Sequence, residues 1–135
     1  MSPFCFVDRV AELKKDESLT SFFTLKGSEE FLKDHFSDFP VMPGVLLLEA
    51  LVQSATLLLA GSENLKGIFF RLVAAEEVKF GQFVKPGSDL RMSIRLLKNE
   101  GVFCFFEGRI DLVDGFEGKP ARKALTANFK LAPVE

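Results

Sequence analysis

His35-Phe-Ser-Asp-Phe-Pro-Val-Met-Pro-Gly44-Val-Leu-Leu-Leu-Glu49-Ala-Leu-Val-Gln53-Ser-Ala-Thr56-Leu-Leu-Leu-Ala-Gly61 is a proline-turned segment that runs straight into a long apolar one. Pro43, which has no N–H, suits the first turn of a helix, and Gly61 suits the residue just past its end. The helix predicted between them, residues 43–60, is about 27 Å long at the usual rise per residue. It is apolar nearly all round, with Glu49 its single charge. Such a helix has to be buried. Glu49, Gln53 and Thr56 stand at i, i+4 and i+7, so its few polar groups share one stripe. His35, the only histidine, lies fourteen residues before Glu49 in a segment turned by Pro40, Pro43 and Gly44. A buried acid, a nearby base and a free helix N-terminus make a candidate active site.

Upstream, residues 6–14 read as a weakly alternating strand. Residues 19–26 form a cleaner one, with Leu19, Ser21, Phe23 and Leu25 on one face. Ser28 then suits the N-cap of a short helix that delivers His35. Downstream of Gly61 the pattern becomes alternating and stays so. Ile68, Phe70, Leu72, Ala74, Val78 and Phe80 line one face of a long strand, and Leu90, Met92, Ile94 and Leu96 line the next. After the turn at Asn99-Glu-Gly101, Val102, Cys104, Phe106, Ile110 and Leu112 face one way, and Glu107, Arg109 and Asp111 the other. A last strand covers residues 121–132. Runs of strands around one helix predict an α+β domain spanning residues 1–135, with an antiparallel sheet of about six strands wrapped around the helix. A helix apolar on all sides needs a second cover besides that sheet, which a partner subunit would supply.

The composition narrows the chemistry. Sixteen Phe with no Tyr leave no phenol to act as a catalytic acid, and a net charge of −2 points to neither nucleic acid nor an anionic membrane. Cys5 and Cys104 read as free thiols of a reducing, cytoplasmic setting. With one histidine and no ligand spacing, no metal site is expected. The N-terminus lacks the basic and apolar regions of a signal peptide. Residues 41–61 are about long enough to span a membrane, but the alternating strands around them need an apolar partner, and this helix is the candidate.

His35-Phe-x-x-x-Pro40-Val-Met-Pro-Gly-Val-Leu-x-x-Glu49-Ala-x-x-Gln53 resembles the signature of bacterial (3R)-3-hydroxyacyl-acyl-carrier-protein dehydratases, hotdog-fold enzymes of fatty acid synthesis. The likeness extends to Pro3-Phe-Cys-Phe-Val-Asp-Arg-Val10, Glu77-Val-Lys-Phe80 and Val84-Lys-Pro-Gly-Ser-Asp89. It implies that His35 removes the α-proton of the thioester and that Glu49 assists departure of the 3-hydroxyl. It also implies that the Gly44 N–H polarises the thioester carbonyl, and that the Val41 carbonyl fixes the tautomer of His35. Physics agrees with these roles. A helix N-terminus offers N–H groups to a developing oxyanion, histidine suits a general base, and a carboxylate desolvated in an apolar helix favours its proton-donating form. Gln53 is assigned to supporting Glu49.

The resemblance further implies no cofactor, an acyl-carrier-protein-linked substrate, and a homodimer with shared active sites, leaving open whether dimers assemble into a hexamer. One departure bears on it: Ser37-Asp38 stand where the family usually has Pro-Gly. Glu49 keeps the family's residue where the related dehydratase–isomerases carry Asp, which speaks against isomerase activity. A catalytically impaired acyl-binding or accessory subunit, and a hotdog thioesterase, are the alternative functions. Lys79, Lys85, Arg91 and Arg95 fall in a stretch with few acids, which is either a docking patch for an acidic carrier protein or a solvated strand face.

Overall fold

A computed structural model describes residues 5–26, 41–62, 68–113 and 122–134. The elements are β1 (Arg9–Lys14), β2 (Ser18–Thr24), α1 (Gly44–Ala60), β3 (Phe70–Phe80), β4 (Asp89–Glu100), β5 (Phe103–Leu112) and β6 (Arg122–Pro133). The strands form one six-stranded sheet in the order β1-β2-β4-β5-β6-β3, antiparallel at every junction. The predicted short helix at Ser28 lies outside the described residues.

Strict alternation makes β2, β4 and β5 what they are. Leu19, Ser21 and Phe23 of β2, Leu90, Met92 and Ile94 of β4, and Cys104, Phe106, Ile110 and Leu112 of β5 are all buried under the helix. Gly108 of β5 lets α1 come close. A Cβ there would stand 3.0 Å from Leu51 Cδ1 and 3.1 Å from the Phe129 ring. Gly101, at φ +65°, opens the two-residue turn from β4 to β5 in a left-handed conformation that glycine adopts without strain. Val102, expected inward, sits in that turn and is exposed.

β3 departs from its expected face. Its inward residues are Phe70, Ala75 and Val78, whereas Leu72 and Phe80 are exposed. The register against β6 shifts between Leu72 and Ala74 and again between Glu76 and Lys79, and Glu77 has φ +50°. Each irregularity resets the alternation, so a period of two cannot be carried through the strand. The first strand is also shorter than its pattern and exposed throughout.

α1 begins and ends where expected, with Pro43 as N-cap and Gly61 as C-cap, although Gly61 is right-handed (φ −77°) and serves no left-handed turn. Its seventeen residues pack on β4 first, then on the other strands from β2 to β6. Leu47, Ala50, Leu51, Val52, Ser54, Ala55, Leu58 and Leu59 are buried. The opposite side is not: Val45 is 72% exposed and Leu57 41%. Each such side chain forgoes part of the roughly 1.5–3 kcal/mol that full burial of an aliphatic chain contributes. The sheet therefore covers one side of the helix only. Among the described residues no helix is long and apolar enough to cross a membrane.

Candidate active site

The approach to α1 is fixed from its neighbours. Val41 and Met42 are buried, and the Met42 N–H donates to the Val84 carbonyl at 2.8 Å, tying the segment to the loop after β3. The Pro43 carbonyl accepts from Leu46 and Leu47 at 3.0 and 3.1 Å, which closes the first turn. The N–H groups of Gly44 and Val45 belong to that turn and have no intrahelical acceptor, so the positive end of the helix dipole is presented there. Gly44 also lets an aromatic ring rest on the backbone, since a Cβ would lie 2.6 Å from Phe80 Cε1. Beside it opens a cavity of about 370 Å³ with largely apolar walls, lined by Met42, Gly44, Leu47, Phe80, Phe83 and Val84 among others.

Glu49 follows five residues later, on the side of α1 that the sheet leaves open. Expected to be buried, it is only partly so within one chain, because the stripe it shares with Gln53 and Thr56 faces away from the strands. Gln53, one turn further on, donates from Nε2 to Glu49 Oε1 at 3.4 Å. The Thr56 hydroxyl instead returns to the Val52 carbonyl at 2.9 Å, so it belongs to the helix and not to the acid. His35, and with it the expected contact to the Val41 carbonyl, lies outside the described residues, as do Ser37 and Asp38.

One contact had no signal in the sequence. The Phe6 N–H donates to Gln53 Oε1 at 2.8 Å across 47 positions. A main-chain donor brought in by tertiary packing leaves no trace in residue type or spacing.

The four basic residues do not gather. Lys79 is on β3, separated from Arg91 and Arg95 of β4 by β5 and β6, and Lys85 is in the loop between β3 and β4. Arg91 Nη2 lies 3.4 Å from Asp111 Oδ2, and Arg95 Nη2 lies 3.2 Å from Glu107 Oε1. Asp111, placed by its alternation on the polar face, is nearly buried because Arg109 Nε covers its other oxygen at 2.8 Å. The two arginines thus have carboxylate partners on the neighbouring strand.

Comparison with known proteins places this arrangement. Residues 11–113 match the ApeI-like family, described as ApeI dehydratase. The chain is 35% identical over 113 residues to a 3-hydroxyacyl-[acyl-carrier-protein] dehydratase FabZ of Oceanobacillus iheyensis, covering 84% of this chain and 80% of that one. It is 37% identical over 131 residues to the FabZ of Rhizorhabdus wittichii, covering 94% and 78%. Among solved structures, the dehydratase heterocomplex ApeI:P from Xenorhabdus doucetiae superposes with a TM-score of 0.76 at 18% identity, over 100% of this chain and 86% of that one. That last likeness establishes the hotdog fold, and the sequence matches go further: this chain belongs to the ApeI-like dehydratase family.

Proposed function

We propose that this protein dehydrates (3R)-3-hydroxyacyl thioesters, carried on acyl carrier protein, to trans-2-enoyl thioesters in acyl-chain synthesis. The observation that carries the reading is the order of parts along α1. A helix N-terminus at Gly44 opens beside an apolar cavity, and a carboxylate held by Gln53 follows on the face the sheet leaves uncovered. The relatives that match over most of the chain are themselves named as 3-hydroxyacyl-carrier dehydratases.

The chemistry needs no electron donor or acceptor. His35 takes the proton from C2, and the charge that develops on the thioester oxygen is met by the Gly44 N–H. Glu49 protonates the hydroxyl on C3 as the C–O bond breaks, so a C2=C3 double bond forms and water leaves. In this reading His35 and Glu49 of one site come from different subunits of a homodimer. Among the described residues, the face of α1 that the sheet leaves open and the exposed edge strand β3 are surfaces that a partner could cover.

Incubating the purified protein with 3-hydroxyacyl-carrier substrates of several lengths tests the reading, with enoyl product as the expected result. Free acid as the sole product would move the protein to the thioesterases. The Xenorhabdus relative is solved as a heterocomplex, and this favours one second reading, an accessory subunit that works with a non-identical partner. A chain that is monomeric and inactive alone would support that reading.

A further inference from the structure

Gln53 joins two parts of the molecule that are distant in sequence. Its Oε1 accepts from the Phe6 N–H at 2.8 Å, and its Nε2 lies 3.4 Å from Glu49 Oε1. A backbone N–H can only donate, so the amide atom facing Phe6 has to be the oxygen. The amide nitrogen is thereby turned toward Glu49, where it in turn can only donate. Glu49 Oε1 is then engaged as an acceptor, and the carboxyl proton is left to the other oxygen.

Taking Glu49 as the acid of the reaction proposed above, we infer that the main-chain amide of Phe6, acting through Gln53, selects Oε2 of Glu49 as the oxygen that delivers the proton. Phe6 and Gln53 are positioning residues in this scheme. The donor is well anchored. Phe6 is 1% exposed, and its ring meets Phe23 of β2 edge-on at 5.6 Å. Two residues on, the Asp8 N–H donates to the Phe22 carbonyl, and Asp8 Oδ2 accepts the Thr24 N–H, both at 2.8 Å. The reference point for the acid is therefore the sheet and not the helix that carries it. Because Gln53 and Glu49 are one turn apart on a rigid helix, a bond from β2's side to Gln53 also fixes the rotation of α1 at Glu49.

The test uses the full chain and a short 3-hydroxyacyl N-acetylcysteamine thioester, with kcat, KM and the pH profile of kcat measured on folded protein. Phe6→Pro removes the N–H and is expected to lower kcat on the order of ten- to a hundredfold, the cost of a misplaced group, with KM unchanged. Phe6→Leu, which keeps the donor and fills the pocket, should restore most of it. Gln53→Glu keeps an acceptor for Phe6 but turns an oxygen toward Glu49. The two carboxyl groups then compete for one proton, and the limb of the profile set by the acid moves to higher pH. Should Phe6→Pro not fold, Gln53→Glu decides alone. A folded Phe6→Pro with the parent kcat, or a Gln53→Glu with the parent pH profile, overturns the inference. An active Glu49→Gln would instead remove the acid itself, a separate result that identifies which of the two readings has failed.

Discussion

Glu49 and Val45 stand one turn apart on the side of α1 that no strand covers, and the two put opposite demands on that side. Val45 gains from being covered, whereas a carboxylate loses hydration when covered unless a donor meets it. Gln53 is that donor within the chain. Replacing Glu49 with Gln keeps the shape but removes the transferable proton. Turnover should fall by about 10²–10⁴-fold, followed as enoyl thioester formed, with the melting temperature equal to the parent's or slightly higher. A second prediction concerns Cys104, where burial on β5 pushes the thiol above its ordinary value of 9.0. The unfolded chain gives up this proton first. The stability tied to the neutral thiol is complete below pH 9.0 and declines as pH rises from there through the higher folded value. Denaturant midpoints compared at pH 8 and pH 10 should fall further for the parent than for Cys104→Ala. Equal falls would show that the buried thiol does not contribute.

At the scale of elements, the loop after β3 is gripped by β6. The Gly81 and Gln82 N–H groups donate to the carbonyls of Ala124 and Lys123 at 2.9 Å, and a Cβ on Gly81 would run into the Lys123 carbonyl oxygen. Backbone cannot step aside as a side chain can, so Gly81→Ala should cost about 1–3 kcal/mol by chemical denaturation and displace Phe80 and Phe83 from the cavity wall. The carrier-docking reading needs a test that respects the ion pairs. Arg91→Glu would set a new carboxylate against the nearly buried Asp111 and confuse folding with docking. Lys79→Glu avoids this, because Lys79 lies on β3, away from those arginines. The substitution is expected to raise KM for the carrier-linked substrate and leave a small thioester unaffected, and equal effects on both would exclude this lysine from docking. How far these elements were legible in the sequence depended on how local their causes are. α1 was marked by Pro43 and Gly61, and β4 by Leu90, Met92 and Ile94, since caps and alternation act over a few residues. The inward face of β3 was not legible, because its two irregularities answer to β6. The Glu49–Gln53 pair could be read from helical spacing; Phe6 could not, because its place beside Gln53 exists only after the sheet has formed.

For the whole molecule, the proposed sharing of a site between subunits makes a prediction that no single chain can meet. His35→Ala and Glu49→Gln should each be inactive. Refolded together so that subunits exchange, they should regain activity in proportion to the mixed dimers, because one of the two sites then receives an intact base and an intact acid. A mixture with demonstrated exchange that stays inactive would refute the sharing. The sheet order has a further consequence, for the way the chain comes together. β1 with β2, β4 with β5 and β5 with β6 are neighbours in sequence as well as in space, but among the described residues the strand that β3 pairs with is β6, far later in the chain. A ribosome thus delivers β3 well before its mate. In that interval Leu72, Val73 and Phe80, exposed even in the finished domain, sit on a strand with both edges unpaired. Such long-range closure is slow, and an open apolar strand is adhesive while it lasts. The hazard of misassembly is therefore concentrated in the pause between the synthesis of Phe80 and that of Arg122, and a helper that shields β3 for that time would protect the nascent protein most.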